Sequence, residues 1–104
     1  MDNNQKNNQL NIELSDEVAE GKYSNLAIIT HSPIEFVVDF AQMLPGNPKA
    51  KVRSRIIMTP QNAKRLYKAL ADNIAKYEQQ HGQIKDAGDT IPFNMGGPTA
   101  MAWL

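Results

Sequence analysis

Four basic residues at alternate positions from 49 to 55 are the strongest candidates in this sequence for binding a specific kind of partner. Lys49, Lys51, Arg53 and Arg55 are each two residues apart, and a β-strand projects side chains at that spacing from one face. Such a row suits the phosphates of a nucleic acid or another anionic partner. The same candidate contact surface takes in three bases further along the chain: Lys64, Arg65 and Lys68.

Two acidic residues in the preceding segment could instead form ion pairs with these bases. Glu35 and Asp39 share one face of a predicted strand, and a hairpin between this strand and the next places Asp39 near Arg53 or Arg55. Cross-strand ion pairs would leave little potential for phosphates. No aromatic side chain is interleaved with the four bases from Lys49 to Arg55, which argues against a stacking platform for single strands. We therefore expect paired bases and keep nucleic-acid association through residues 49–68 as the alternative.

Other candidate catalytic groups have simpler structural roles. His31 and Ser32 are adjacent on a predicted turn, where a Ser–His hydrogen bond that activates the hydroxyl is hard to form. Glu35 and Asp39 are separated by roughly 13 Å along a strand, which is too far for the paired carboxylates of a glycosidase. The glycines of residues 94–98 follow no predicted strand and precede no Lys-Ser/Thr pair, so they match no phosphate loop. We expect no catalytic residue, no cofactor and no enzymatic activity.

Metal and disulfide cross-links are also not expected. The 104-residue sequence has no cysteine and two histidines, His31 and His81, which removes disulfides and the commonest zinc sites. The N-terminus lacks the pattern of a secretory signal, and no apolar run approaches the roughly 18 residues that span a bilayer. The expected location is the cytoplasm.

Hydrophobic periodicity predicts an α+β fold: an antiparallel meander of three to four strands followed by one long amphipathic helix packed on one sheet face. Period-2 alternation indicates strands at residues 10–14, 23–30, 35–41 and 49–58. A helix is predicted to begin at Pro60 after the N-cap Thr59 and to end before Gly82. Its apolar residues recur three and four apart and form one stripe: Ala63, Leu66, Tyr67, Leu70, Ala71, Ile74 and Tyr77.

Composition divides the chain into three parts. Residues 1–9 are almost wholly polar and are expected to be a disordered tail, while residues 10–82 form a single domain. Residues 83–104 are rich in Gly, Pro and Asp and are expected to form a flexible tail. Two roles stay open for its apolar end, residues 101–104: it docks on a protein partner, or it folds back over the domain or a neighbouring subunit.

Self-association is the expected source of further burial. A domain this small, without cross-links, buries a modest share of its surface and usually needs a partner. The pattern places Ala27, Ile29, Val37 and Ile57 on the sheet face opposite the helix, and a fully solvated face would alternate more cleanly. These four residues are the candidate oligomer face. The sequence thus predicts a non-enzymatic homo-oligomeric interaction module, with a homodimer as the simplest form.

Several unlike motifs agree at once with one known family. The chain resembles a family of short bacterial and archaeal proteins catalogued only as a domain of unknown function, over about residues 10–82. The resemblance implies no activity, substrate or catalytic residue. It rests on these residues: Tyr23-Ser24-Asn25, His31-Ser32-Pro33, Glu35-Phe36-Val37, Asp39-Phe40, Pro45-Gly46, Ser54-Arg55-Ile56-Ile57-Met58-Thr59-Pro60, Ala63-Lys64-Arg65-Leu66, Asn73-Ile74 and Tyr77-Glu78.

Overall fold

The fold consists of a four-stranded antiparallel sheet, a short helix before it and a long helix that follows the third strand. A computed structural model describes residues 10–85 and 97–104. The elements in chain order are α1 (Asp16–Ala19), β1 (Leu26–His31), β2 (Phe36–Gln42), β3 (Lys51–Met58), α2 (Pro60–His81) and β4 (Thr99–Trp103). The strand order is β3-β2-β1-β4. The predicted α+β class, with its antiparallel sheet and single long helix, is confirmed.

The first and last strands differ from the prediction. Residues 10–14 form no strand, although their residue types alternate as in one. The fourth strand is instead β4, which lies in the segment predicted to be a flexible tail and pairs antiparallel with β1, Leu26 opposite Trp103. Its residues do alternate, with half-buried Thr99, Met101 and Trp103 separated by exposed alanines. The predicted flexibility of residues 1–9 and 86–96 falls outside the described residues.

Both ends of α2 follow from local chemistry. The Thr59 side chain accepts a hydrogen bond from the Asn62 N–H at 3.1 Å, and Pro60 occupies the first helical turn, where its missing N–H costs nothing. Gly82 adopts φ 89° at the C-terminus, a conformation that favours glycine, and its N–H donates to the Glu78 carbonyl. The predicted helix boundaries are confirmed. At 1.5 Å per residue, the helix is roughly 33 Å long.

The packing predicted for α2 on its own sheet is wrong. None of its residues is buried, and its contact with the strands is slight. The reason lies in the connection, because a single residue, Thr59, separates β3 from α2. Connections that return a helix onto the sheet usually take two to six residues. The helix therefore leaves the end of β3 without turning back.

As a consequence, the chain buries little apolar surface on its own. In the described residues, the buried apolar side chains are Leu26, Ala27 and Ala41, and no large side chain is fully buried. The Cα radius of gyration is 17.3 Å, against about 13 Å for a compact chain of 100 residues. The apolar core formed by the described residues is therefore small.

Candidate interaction surfaces

An ion pair between neighbouring strands neutralises one member of the basic row. Arg55 lies directly opposite Asp39 in the β2–β3 register. Its Nε donates to Oδ1 at 2.7 Å and its Nη2 to Oδ2 at 2.9 Å, which is a bidentate arrangement. The Asp39 side chain is 11% exposed and that of Arg55 is 63% exposed. The predicted cross-strand pairing of Asp39 is confirmed, with Arg55 as the partner.

The pair shifts the ionisation of both groups in the direction that favours charge. The hydrogen bonds from Arg55, helped by its positive charge, lower the pKa of Asp39 below the usual 3.8, although burial of the carboxylate opposes this change. The hydrogen bonds and charge of Asp39 likewise raise the pKa of Arg55. Both groups are therefore charged at neutral pH, and Arg55 contributes little free positive potential.

A β-bulge breaks the predicted row of four bases. The register shifts between Phe40 and Ala41, so that Ser54 lies opposite Phe40, Val52 lies opposite Ala41, and Arg53 is the extra residue. After this shift Lys51 and Arg55 are on opposite faces of the sheet, because side-chain direction alternates along a strand. The single basic strand face is therefore a wrong prediction.

The remaining bases are also dispersed. Lys49 precedes β3, where its N–H donates to the Asn47 side chain at 3.1 Å. The other three lie exposed on α2 rather than on the sheet: Lys64, Arg65 and Lys68. The seven candidate contact residues thus belong to a loop, two sheet faces and a helix surface.

The predicted oligomer face is split by the register. Ala27 and Ile29 lie opposite Phe40 and Val38, whereas Val37 lies opposite Ile57 and Thr30. The first two residues therefore share one face, and Val37 and Ile57 project from the other. Treating the four as one surface was an error, and its cause was the assumed position of β1 relative to its neighbours.

One of the two sheet faces is apolar over most of its extent, although Gln42, Lys51 and Ser54 also project from it. We call it the apolar face, and its members follow from the register: Ala27, Ile29, Phe36, Val38, Phe40, Ile56 and Met58. Ile29 and Ile56 are exposed, and most of the others are half-buried. His31 borders this face, where its ring stacks on that of Phe36 at 5.3 Å. Apolar side chains at this density suit a covering partner rather than water.

A cleft at one end of the apolar face lies beneath the short helix α1. The Ser15 side chain caps α1 by accepting a hydrogen bond from the Val18 N–H at 3.2 Å. Val18, Phe40 and Ile56 line the cleft together with Lys22 and Arg53. The cleft has a volume of about 540 Å³. Arg53 is therefore directed by the bulge toward an apolar pocket rather than along a basic row.

The apolar side of α2 is also left without a partner among the described residues. We call it the α2 stripe, and its large members are 40–71% exposed: Leu66, Tyr67, Leu70, Ile74 and Tyr77. After the helix the chain turns back, and the Ile84 N–H donates to a Glu78 carboxylate oxygen at 2.9 Å. Ile84 thereby extends the shallow apolar groove along this stripe. Tyr67 and Tyr77, which belong to the stripe that was predicted to pack on the sheet, are 71% and 51% exposed.

The candidate catalytic groups are engaged in structural contacts. Ser32 Oγ accepts hydrogen bonds from the Ile34 and Glu35 N–H groups, both at 3.2 Å, and thereby closes the turn. His31 packs on Phe36 and Asp39 binds Arg55. The prediction that Ser32 bonds the local backbone of a turn is confirmed. Within residues 10–85 and 97–104, no group of three or more His, Cys, Asp or Glu side chains could hold a metal ion.

The C-terminal end is used within the chain rather than as a free docking peptide. β4 includes Met101 and Trp103, and the Leu104 N–H donates to the Asn25 carbonyl at 2.9 Å. In the described part of the structure, the buried Trp103 Nε1 has no acceptor. No helix in that part is long and apolar enough to cross a membrane.

Comparison with known proteins identifies a family for this chain but no activity. Neither the curated proteins nor the solved structures yielded a match to this chain. One family, described as "Protein of unknown function (DUF3467)", matches residues 1–86. That range includes α1, the first three strands and the whole of α2. Since the match covers most of the sequence, the chain belongs to this family of proteins of unknown function.

Proposed function

We propose that this protein is a non-enzymatic, homo-oligomeric interaction module whose apolar surfaces are buried only when copies assemble. The observation that carries the proposal is the exposed α2 stripe on a 22-residue helix without a buried residue. An amphipathic helix in water gains most of its stability from packing its apolar side. The connection through Thr59 keeps that side away from the sheet, and this supports packing of the stripe against another molecule.

A second copy is the partner that fits, because the same chain carries a complementary surface. The apolar face needs a cover, and the α2 stripe needs an apolar surface to pack against. Reciprocal seating of each stripe on the other copy's apolar face buries both surfaces at once. A symmetric dimer is the smallest closed assembly with this property. We place this module in the cytoplasm, since a cysteine-free chain has no need of an oxidising compartment.

Sedimentation velocity over a dilution series tests the proposal. The expected result is a mass of at least twice the 11.6 kDa of one chain at micromolar concentration. Ile29→Glu puts a charge on the apolar face and should shift the mass toward one chain. Val52→Glu is the matched control, because Val52 is an exposed residue that faces the other side of the sheet. A single-chain mass for the unmodified protein at every concentration would refute self-association.

A further inference from the structure

The N-terminal segment, residues 10–14, has the sequence of a strand but no partner in the described structure. Leu10, Ile12 and Leu14 alternate with Asn11 and Glu13, which is the period of a half-buried strand. The three apolar residues are nevertheless 85%, 83% and 66% exposed. These three apolar side chains are thus largely exposed, although their alternating pattern is typical of a strand with one buried face.

The sheet has an outer edge that could receive such a strand. In the described residues β3 is hydrogen-bonded to β2 on one side alone, so its other side presents backbone N–H and C=O groups to solvent. The bulge at Arg53 interrupts the first half of β3 and leaves residues 54–58 regular. That stretch has five residues, the same number as the N-terminal segment.

Charge favours β3 over the other outer strand. Residues 10–20 contain four acids and no base: Glu13, Asp16, Glu17 and Glu20. β3 contains Lys51, Arg53 and Arg55 and no acid, whereas β4 has no charged side chain. Bases and a bulge on an edge strand discourage indiscriminate pairing. The same bases would attract an acidic strand, and residues 10–20 are acidic.

One antiparallel register satisfies both the apolar pattern and the charges. With Leu14 opposite Ser54, Ile12 lies opposite Ile56 and Leu10 opposite Met58, so apolar side chains extend the apolar face. Glu13 then lies opposite Arg55, which uses Nε and Nη2 for Asp39 and has further N–H donors available. A parallel register would place Glu13 opposite Ile57 and lose this pair.

We propose that residues 10–14 of one copy add as a fifth strand to the outer edge of β3 in a second copy, with Leu14 opposite Ser54 and Glu13 opposite Arg55. This inference rests on the self-association proposed above, and it adds a second contact between the copies to the packing of the α2 stripe on the apolar face. Within one chain, α1 already lies over the Phe40–Ile56 end of the sheet, yet the segment before it stays exposed. The receiving edge is therefore that of the other copy.

Disulfide trapping between two single-cysteine chains tests the register, since the natural sequence has no cysteine. A Leu14→Cys chain is mixed with an isotope-labelled Ser54→Cys chain and oxidised, and mixed-label product of twice 11.6 kDa is quantified by mass spectrometry. The control pairs Leu14→Cys with Met58→Cys, which the register separates by four residues, roughly 13 Å. The expected 14–54 cross-link forms at least about tenfold faster, because a disulfide needs Cβ atoms within roughly 4.5 Å.

A charge reversal provides an independent readout that needs no cross-link. Glu13→Lys places like charges opposite Arg55 and should weaken self-association about threefold to tenfold, whereas Glu20→Lys, the same charge change outside the segment, should not. Dimers that show neither the 14–54 preference nor the effect of Glu13→Lys would overturn strand addition and leave the proposed function standing. Single chains at every concentration would overturn both. A chain with both Leu14→Cys and Ser54→Cys that closes on itself would overturn exchange between copies.

Discussion

Replacing one leucine of the α2 stripe should weaken assembly by an amount that the structure allows to be estimated. Leu70 is 57% exposed in a single copy. Full burial of a leucine side chain contributes about 1.5–3 kcal/mol, so burying the exposed part contributes about 1–1.5 kcal/mol. Both copies of a symmetric dimer lose it in Leu70→Gln. The expected loss of about 2–3 kcal/mol raises the dissociation constant about 30- to 150-fold.

The matched control for this prediction is Lys68→Gln on the opposite side of the helix. Glutamine has nearly the helix propensity of leucine and lysine, so both variants should retain the helical circular-dichroism signal. Sedimentation velocity across a dilution series gives the dissociation constant of each protein. The stripe would not be the interface if Leu70→Gln and Lys68→Gln had the same dissociation constant as the unmodified chain. Loss of helix in Leu70→Gln at concentrations where dimers persist would also contradict the reasoning.

Two further predictions concern charged residues. The first tests the pair formed by Asp39 and Arg55, and the second tests binding of nucleic acid. The pKa of Asp39 is lower in the folded protein than the usual 3.8, so the ionised carboxylate stabilises the fold at pH values above the pKa of an unfolded carboxyl. This contribution disappears as the pH falls through the pKa of the folded state, which lies below 3.8. Arg55→Met should therefore lower urea stability more at pH 7 than at pH 3, and an equal loss at both would show that the pair is not the cause. Because Arg55 is paired with Asp39 and the remaining bases are dispersed, duplex DNA should bind no tighter than the non-specific range of roughly 10⁻⁴–10⁻⁶ M. Fluorescence anisotropy at 150 mM salt measures this, and submicromolar binding lost in an Arg53→Ala, Arg55→Ala chain would favour the nucleic-acid alternative.

Local signals in the sequence account for the parts of the fold that were predicted correctly. Thr59 and Pro60 mark the start of α2 and Gly82 marks its end, since caps and left-handed glycines act within a few residues. The Asp39–Arg55 pair follows from strand alternation and one hairpin. The sequence also contained a signal for β4, the alternation of Thr99, Met101 and Trp103, which the surrounding glycines and prolines obscured.

The errors arose where structure depends on non-local geometry. The bulge at Arg53 does not require a glycine, so no residue type in the sequence predicts its position. The bulge places Lys51 on the opposite face of the sheet from Arg55. The candidate oligomer face failed for a related reason, since the face of β1 is set by its register with β2 and not by its own residues. The position of α2 could have been foreseen, because a one-residue connection after β3 is visible in the sequence.

The disagreement between a well-formed local pattern and a nearly empty core is itself informative. Helix caps, turns and the alternation of all segments except residues 10–14 agree with their local structures, as expected of a sequence that specifies one fold. The same sequence leaves an apolar helix stripe, an apolar sheet face and a strand-like segment exposed. Sequences under selection for solubility seldom expose several such surfaces without a use. In the assembly that we propose, a second copy supplies the contacts that these surfaces lack: the α2 stripe covers the apolar face, and residues 10–14 pair with the outer edge of β3.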